Sequence, residues 1–408
     1  MKRLIKREYH RMTSENIKKE SLVLQTLQPG EREEIGRKIR DIMPTLLKAI
    51  DANADYFGQR FPDASCKNGR YPMIDNIEWT TSFWTGQLWL AYEWTGEAQY
   101  QALANQHIHS FAQRIINRDH TNHHDLGFLY SLSCVAGERL TGNREAGYIA
   151  LLAAEALMER YNEKAGIIQA WGELDNPEQQ GRMIIDCNMN LPLLYQASVY
   201  SGNPRYAAAA RQHIEQARRY IVREDGSTFH TWYMDVETGE PRFGNTHQGF
   251  SDDSCWARGQ AWGIYGFLLN YLHTGDERLL ALSQTLANYY LNRLPEDLIC
   301  YWDLALTDPN SERDSSAAAI VACALLELIK HLPVTHPDRE SYETLALRMI
   351  GNMIDGYVNR EHSAGQGLLE HSVYYFKGDI GVNECCSWGD YFLMEAITRA
   401  TQNWRSYW

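Results

Sequence analysis

Two isolated aspartates, Asp125 and Asp186, each open a run of helical apolar periodicity, in His124-Asp125-Leu-Gly-Phe128 and in Ile184-Ile185-Asp186-Cys-Asn188. An aspartate at a helix start has an ordinary structural use, accepting the unpaired N–H groups of the first turn. Either residue alone reads equally well that way. Two carboxylates at one rim of a pocket are more telling. Cleavage of glycosidic bonds commonly needs such a pair. Neighbouring carboxylates also split their proton affinities, which leaves one of them protonated near neutrality.

The segment from His247 to Trp262 is the most specific in the chain. Arg258 and Trp262 stand four residues apart and share a helix face. An arginine on an otherwise apolar helix is costly without an anion. A salt bridge to Asp253 is the structural candidate for that anion, and a substrate carboxylate is the functional one. His230 and His247 flank long loops, where a single histidine is most often structural. Trp79 and Trp171 fall in loops before or between helices, where an indole serves as core filling or as a platform for the apolar face of a sugar. The chain has no P-loop, no dinucleotide glycine fingerprint, no H-E-x-x-H and no G-x-S-x-G, so nothing in it requires a metal or an organic cofactor.

These residues must be held by helices. Periodicity of helical type covers Ala257 to Tyr271, Leu279 to Leu294 and Ala317 to Leu332, while alternating Val/Ile/Thr stretches are scarce, so strands should be few and short. A weak repeat marks helix exits at Thr95-Gly96, Thr141-Gly142, Ser201-Gly202 and Thr274-Gly275, each followed at once by residues suited to a new start. A second repeat is a polar loop that feeds an unusually apolar helix. It occurs at Thr81-Ser82, Asp125, Asp186, Asp253-Ser254, Asp314-Ser315 and Ser387-Trp388. Six apolar helices alternating with six amphipathic ones predict a single-domain, all-α (α/α)6 toroid with an inner and an outer ring. In such a ring the inner helices run parallel and their N-termini gather at one end. That end is hospitable to anions, and the active site is expected there.

Composition agrees with one large globular unit: 408 residues, 44% hydrophobic and 22% charged. Aromatics are abundant, with 12 Trp and 24 Tyr. A net charge of −13 argues against nucleic acid or an anionic membrane surface as partner, and no run approaches membrane-spanning length. Eight cysteines without metal-type spacing read as reduced thiols of a cytoplasmic protein. The basic opening, Met1 to Arg7, has no apolar stretch after it and does not read as a signal peptide.

His124-Asp125-x-Gly127-Phe128, Asp186-x-Asn188-x-Asn190, Thr246-His247-Gln248-Gly249, Ser254-x-Trp256-Ala-Arg258-Gly-Gln-Ala-Trp262 and Trp388-Gly-Asp390-Tyr391 together resemble the unsaturated glucuronyl hydrolases, glycoside hydrolase family 88. The likeness runs from about residue 40 to the C-terminus. It divides the chain into an N-terminal extension, 1–35, expected to be partly helical, and a catalytic toroid, 36–408. The resemblance implies a cytoplasmic bacterial enzyme acting after polysaccharide lyases. Such an enzyme removes the 4-deoxy-Δ4,5-unsaturated uronic acid from the non-reducing end of glycosaminoglycan or similar fragments. It implies Asp186 as principal acid/base and Asp125 as its catalytic partner. It also implies substrate contacts at Trp79, His124, Trp171, His230, His247, Arg258 and Trp262. Three alternatives stay open: an unsaturated rhamnogalacturonyl hydrolase, which typically reads Arg-Gly-Asn-Gly-Trp where this chain has Arg258-Gly-Gln-Ala-Trp262, an inverting glycosidase on the same toroid, and a non-catalytic glycan-binding toroid. Relatives that favour 6-sulfated disaccharides resemble one another in a Ser-x-x-Ser-x-Lys stretch. This chain has Tyr375, Gly378 and Ile380 at those places, with Lys377 and Asp379 between, which predicts a preference for unsulfated sugars.

Overall fold

Each helix exit at a Thr-Gly or Ser-Gly step ends in a left-handed glycine. Gly96, Gly142, Gly202 and Gly275 have φ of 72°, 71°, 71° and 69°, and each donates its N–H to the carbonyl four residues back. Asn143 and Asp276 then cap the following helices through their side chains. These tight turns make antiparallel hairpins, and the hairpins close into a ring.

The computed structural model describes residues 17–408 except His362. In chain order the helices are α1 (Pro29–Phe57), α2 (Thr81–Thr95), α3 (Ala98–Asn117), and α4 (Leu126–Tyr130), which passes through a π-helical turn (Ser131–Val135) into α5 (Ala136–Thr141). There follow α6 (Arg144–Met158), α7 (Cys187–Asn190), α8 (Pro192–Ser201), α9 (Arg205–Tyr220), α10 (Ala257–Thr274), α11 (Glu277–Leu291), α12 (Ser315–His331), α13 (Arg339–Gly356) and α14 (Ser387–Thr401). The inner ring is α2, α4–α5, α7–α8, α10, α12 and α14, each packed on the next, with α14 returning to α2. The outer ring is α1, α3, α6, α9, α11 and α13. The difference in burial follows the sequence pattern: every residue of α10 from Ala257 to Asn270 is buried, whereas α9 buries one face only.

The described strands are short: β1 (Phe61–Pro62), β2 (Met73–Ile74), β3 (Tyr161–Asn162), β4 (Ile167–Ile168), β5 (Arg182–Ile184), β6 (Thr231–Met234), β7 (Pro241–Asn245), β8 (Ser372–Tyr375) and β9 (Ile380–Glu384). They form four small antiparallel sheets. The sheet β5–β6–β7 and the hairpin β8–β9 lie where α7 and α14 begin, and so frame the end at which inner helices start. The C-terminal Trp408 fills the ring: it stacks on Phe392 at 6.1 Å, meets Phe128 edge-on at 5.9 Å and donates to Glu395 at 3.1 Å.

Five of the six inner starts lie at or within one residue of the positions read from the sequence, and one is displaced. Helix α10 begins at Ala257, where its helical periodicity begins, and not directly after the expected cap at Asp253-Ser254, because Asp303 draws the preceding residues into a separate turn. Its carboxylate accepts from Phe250 N, Ser254 Oγ and Cys255 N at 2.9, 2.7 and 3.3 Å.

Residues 17–28 carry no helix and lie over the outer ring. Glu20 pairs with Arg293 at 2.8 Å, Lys19 with Asp338 at 3.0 Å, and Gln25 N donates to Ser341 Oγ at 2.8 Å. Residues 29–35 already belong to α1. The expected helical character of the extension ahead of residue 17 falls outside the described residues. All eight cysteines are free and buried.

Candidate active site

Asp125 and Asp186 occupy the N-cap positions of α4 and α7, yet neither side chain caps its helix. Asp314, at the start of α12, shows the structural alternative: its carboxylate accepts from Ala317 N at 3.4 Å. The first two carboxylates are therefore free for another use. Asn190 holds them together. Its Oδ1 accepts from Phe128 N at 2.6 Å, and its Nδ2 reaches the backbone oxygen of Asp186 at 3.2 Å and Asp125 Oδ1 at 3.5 Å. Gly127 makes the approach possible, since a Cβ there would stand 2.2 Å from Asn190 Cα.

The two carboxyls are pushed in opposite directions. At Asp125 burial opposes ionisation, but His124, His123 and Asn190 outweigh it and hold the carboxyl below its ordinary value. His123 Nδ1 also accepts the N–H of Asp125 at 3.1 Å, which fixes the loop. At Asp186 burial and the charge of Asp125 raise the pKa from 3.8 to about 7, against the pull of Arg258. Its Oδ2 has no hydrogen-bond partner. A buried carboxylate oxygen without a donor strongly favours the protonated form. One site thus offers a neutral acid beside an anion.

Three histidines of the site, His124, His230 and His247, are held below the ordinary imidazole value. Burial pushes His124 down to about 4, in spite of Asp125 Oδ1 at 3.3 Å from its Nε2. Burial and the neighbouring His247 lower His230 to about 3. His230 lies beside the ring of Trp256, with centroids 5.0 Å apart, and 6.3 Å from His247. His247 stacks on Tyr375 at 4.9 Å and meets Trp171 edge-on at 5.9 Å. The backbone N–H of His124 donates to Ala170 O at 2.7 Å, so the loop that carries Trp171 is tied to the start of α4. Imidazoles of lowered proton affinity beside indole rings, with two carboxyls pushed in opposite directions, suit proton transfer to a polyhydroxylated ring compound.

Residues 49–374 match Glycosyl Hydrolase Family 88. The unsaturated chondroitin disaccharide hydrolase of Streptococcus agalactiae serotype III (strain NEM316) is 45% identical over 372 residues, 91% of this chain and 93% of that protein. The chain belongs to glycoside hydrolase family 88. The crystal structure of unsaturated glucuronyl hydrolase from S. agalactiae superposes with a TM-score of 0.92 at 43% identity, covering 96% of this chain and 99% of that one. A mutant of the S. agalactiae enzyme complexed with dGlcA-GalNAc6S matches with a TM-score of 0.82 at 40% identity, again over 96% and 99% of the two chains. The protein is a glycoside hydrolase with the (α/α)6 architecture.

For this family 88 enzyme the environment of Arg258 differs from the sequence expectation. Its salt-bridge partner is Asp314, not the exposed Asp253: Nη1 lies 3.2 Å from Asp314 Oδ2. The pair is completely buried. The guanidinium also donates to Val373 O and, at 2.8 Å, to Tyr374 O, bracing β8. Trp256 and Trp388 cover it, with centroids 4.5 and 4.7 Å from Cζ. Its Nε alone has no partner. Trp79 donates to Tyr374 Oη at 2.9 Å and stacks on Trp388 at 5.3 Å. Trp262 has no exposed surface and packs under Phe128 at 5.1 Å, a floor beneath the site.

Several site residues had no individual signal in the sequence. Tyr374 and Tyr375 sit in β8, far along the chain from both aspartates. Arg182 lies 3.5 Å above the Trp171 ring and donates to Tyr233 Oη at 3.1 Å. Asn190 was part of a recognisable motif, and only the packing of α4 against α7 shows what it does.

Proposed function

We propose that this enzyme removes the 4-deoxy-Δ4,5-unsaturated uronic acid from the non-reducing end of lyase-generated oligosaccharides, glycosaminoglycan fragments among them, by hydrating the C4=C5 enol ether. The observation that carries the reading is the unlike setting of two neighbouring carboxyls: Asp186, whose Oδ2 has no donor and whose pKa is pushed up to about 7, and Asp125, which His124, His123 and Asn190 hold below its ordinary value. An enol ether needs a proton delivered to carbon, and an acid with a pKa near neutrality is matched to that task. The chondroitin disaccharide activity of the relative that is 45% identical supports it.

Asp186 gives its proton to C4. Positive charge then develops at C5 and is shared with the ring oxygen, where the Asp125 carboxylate supports it. Water adds at C5 and returns a proton to the carboxylate left on Asp186. The resulting hemiketal opens and releases the neighbouring sugar. His124, His230 and His247 serve as neutral hydrogen-bonding partners, and Trp79 and Trp171 bound the sugar ring. Arg258 contributes its field and its free Nε–H to the substrate carboxylate, while Trp262 acts from below by packing. Eight free, buried thiols suit a reducing cytoplasm.

Turnover is followed as loss of the ultraviolet absorbance of the conjugated double bond on lyase-generated disaccharides. In heavy water one deuterium should appear at C4 of the product. Solvent oxygen at the anomeric carbon with C4 unlabelled would mean ordinary glycoside hydrolysis.

A further inference from the structure

Arg182 is a buried arginine that the hydration chemistry does not use; it is 8% exposed. Among the described residues no carboxylate pairs with it. Its donors go to neutral oxygens, Nε to Tyr233 Oη at 3.1 Å and Nη1 to Trp171 O at 3.3 Å. A buried charge held only by neutral groups is costly to keep. The face of the guanidinium lies on the Trp171 ring, with Cζ 3.5 Å from the centroid. A planar cation can stack and donate in its own plane at once, as an ammonium cannot. Gly172 opens the way for it: φ there is 87°, and a Cβ would stand 3.1 Å from Nη1.

The backbone of the Trp171 loop is held by other groups. Arg160 donates to Gln169 O at 2.8 Å and to Gly172 O at 2.9 Å, and Ala170 N donates to Arg182 O at 2.9 Å. What the Arg182 side chain adds is control of the ring, covering one face of an indole that is otherwise 39% exposed. Tyr233, its second partner, is fixed in turn by stacking on Phe243 at 4.8 Å. Arg182 also opens β5, the strand that leads directly to Asp186. One strand therefore sets both the Trp171 ring and the acid. The charge of Arg182 reaches His247 as well, whose pKa is lowered by burial, by Arg182 and by Lys377.

We propose that Arg182 is a positioning residue: it fixes the Trp171 ring against β5, so that the sugar meets a platform set at a constant distance from Asp186. The inference rests on the reading above, in which Trp171 bounds the sugar ring.

The test measures kcat and KM on a lyase-generated unsaturated disaccharide, for Arg182→Met and Arg182→Lys, each alone and combined with Trp171→Ala. Arg182→Met should raise KM about tenfold, the worth of a partly desolvated cation–π contact, with kcat nearly kept. Arg182→Lys retains the stem and the charge but not the plane, and KM should stay raised. On the Trp171→Ala background neither change should raise KM further, because the ring through which Arg182 acts is gone. Equal increases in KM on both backgrounds would overturn the positioning role. So would full rescue by Arg182→Lys, which would leave the charge alone as the cause. Wild-type enzyme that leaves the double bond intact overturns instead the activity on which the inference rests.

Discussion

Replacing Asp186 with Asn should damage catalysis and strengthen the fold at the same time. The carboxyl has lost hydration by burial, and its Oδ2 finds no donor. Its pKa rises from 3.8 to about 7. A carboxyl whose folded pKa is raised contributes its stability below the unfolded value and loses it as pH climbs through the folded one. The window here runs from about 4 to 7. The full difference corresponds to an upper bound of about 4 kcal/mol. Asn keeps the shape but cannot ionise. The variant should match wild type near pH 4, gain progressively above it, and melt several degrees higher by about pH 8. Turnover should fall at least 10²- to 10⁴-fold (roughly), the usual cost of removing an acid/base group, while substrate still binds. Thermal melts at the two pH values and a double-bond absorbance assay on one preparation measure both effects. A variant that keeps more than a tenth of wild-type kcat, or shows the same melting difference at both pH values, would refute the reasoning.

The Asp125 charge helps to raise Asp186, so Asp125→Asn should be severe for turnover, and the alkaline limb of its residual pH–rate profile should move down by about one pH unit; a limb that stays in place means the charge is not felt. Arg258→Ala strands Asp314 in the interior and should cost about 3–5 kcal/mol of stability, read by denaturant melts, as well as weakening substrate binding. Adding Asp314→Asn should recover part of the stability but none of the lost kcat/KM, and full recovery of activity would remove Arg258 from substrate recognition. Unsulfated unsaturated chondroitin disaccharides should have higher kcat/KM than 6-sulfated ones, because the exposed Ile380 offers a sulfate no charge or hydrogen bond. A preference for the sulfated sugar, abolished by Lys377→Ala, would identify Lys377 as a working cation.

The toroid was legible because its signals are local. The Thr-Gly and Ser-Gly exits encode a left-handed residue that only needs its own turn, and the fully apolar inner helices differ in composition from the one-sided outer ones. The periodicity of α10 was legible from Ala257, but its cap was misplaced for the converse reason: Asp303, about fifty residues on, takes hold of the Asp253-Ser254 segment. Arg258 was visible as an arginine on an apolar helix, but its anion was not. Asp253 is near in sequence, whereas Asp314 is near in space.

By itself the amino-acid sequence determined the helices, their six-fold alternation, the family motifs and the two aspartates, since residue type and period carry all of these. The division of labour between the aspartates needed the tertiary structure. Both stand at helix starts, and their surroundings differ. Around Asp125 gather two imidazoles and the Asn190 amide. Around Asp186 there is burial, the charge of Asp125 and an oxygen without a donor. A carboxyl's proton affinity is set by the groups within a few ångströms. Those groups come from α4, α7, α10 and the loops between, and they are brought together only when the ring has closed.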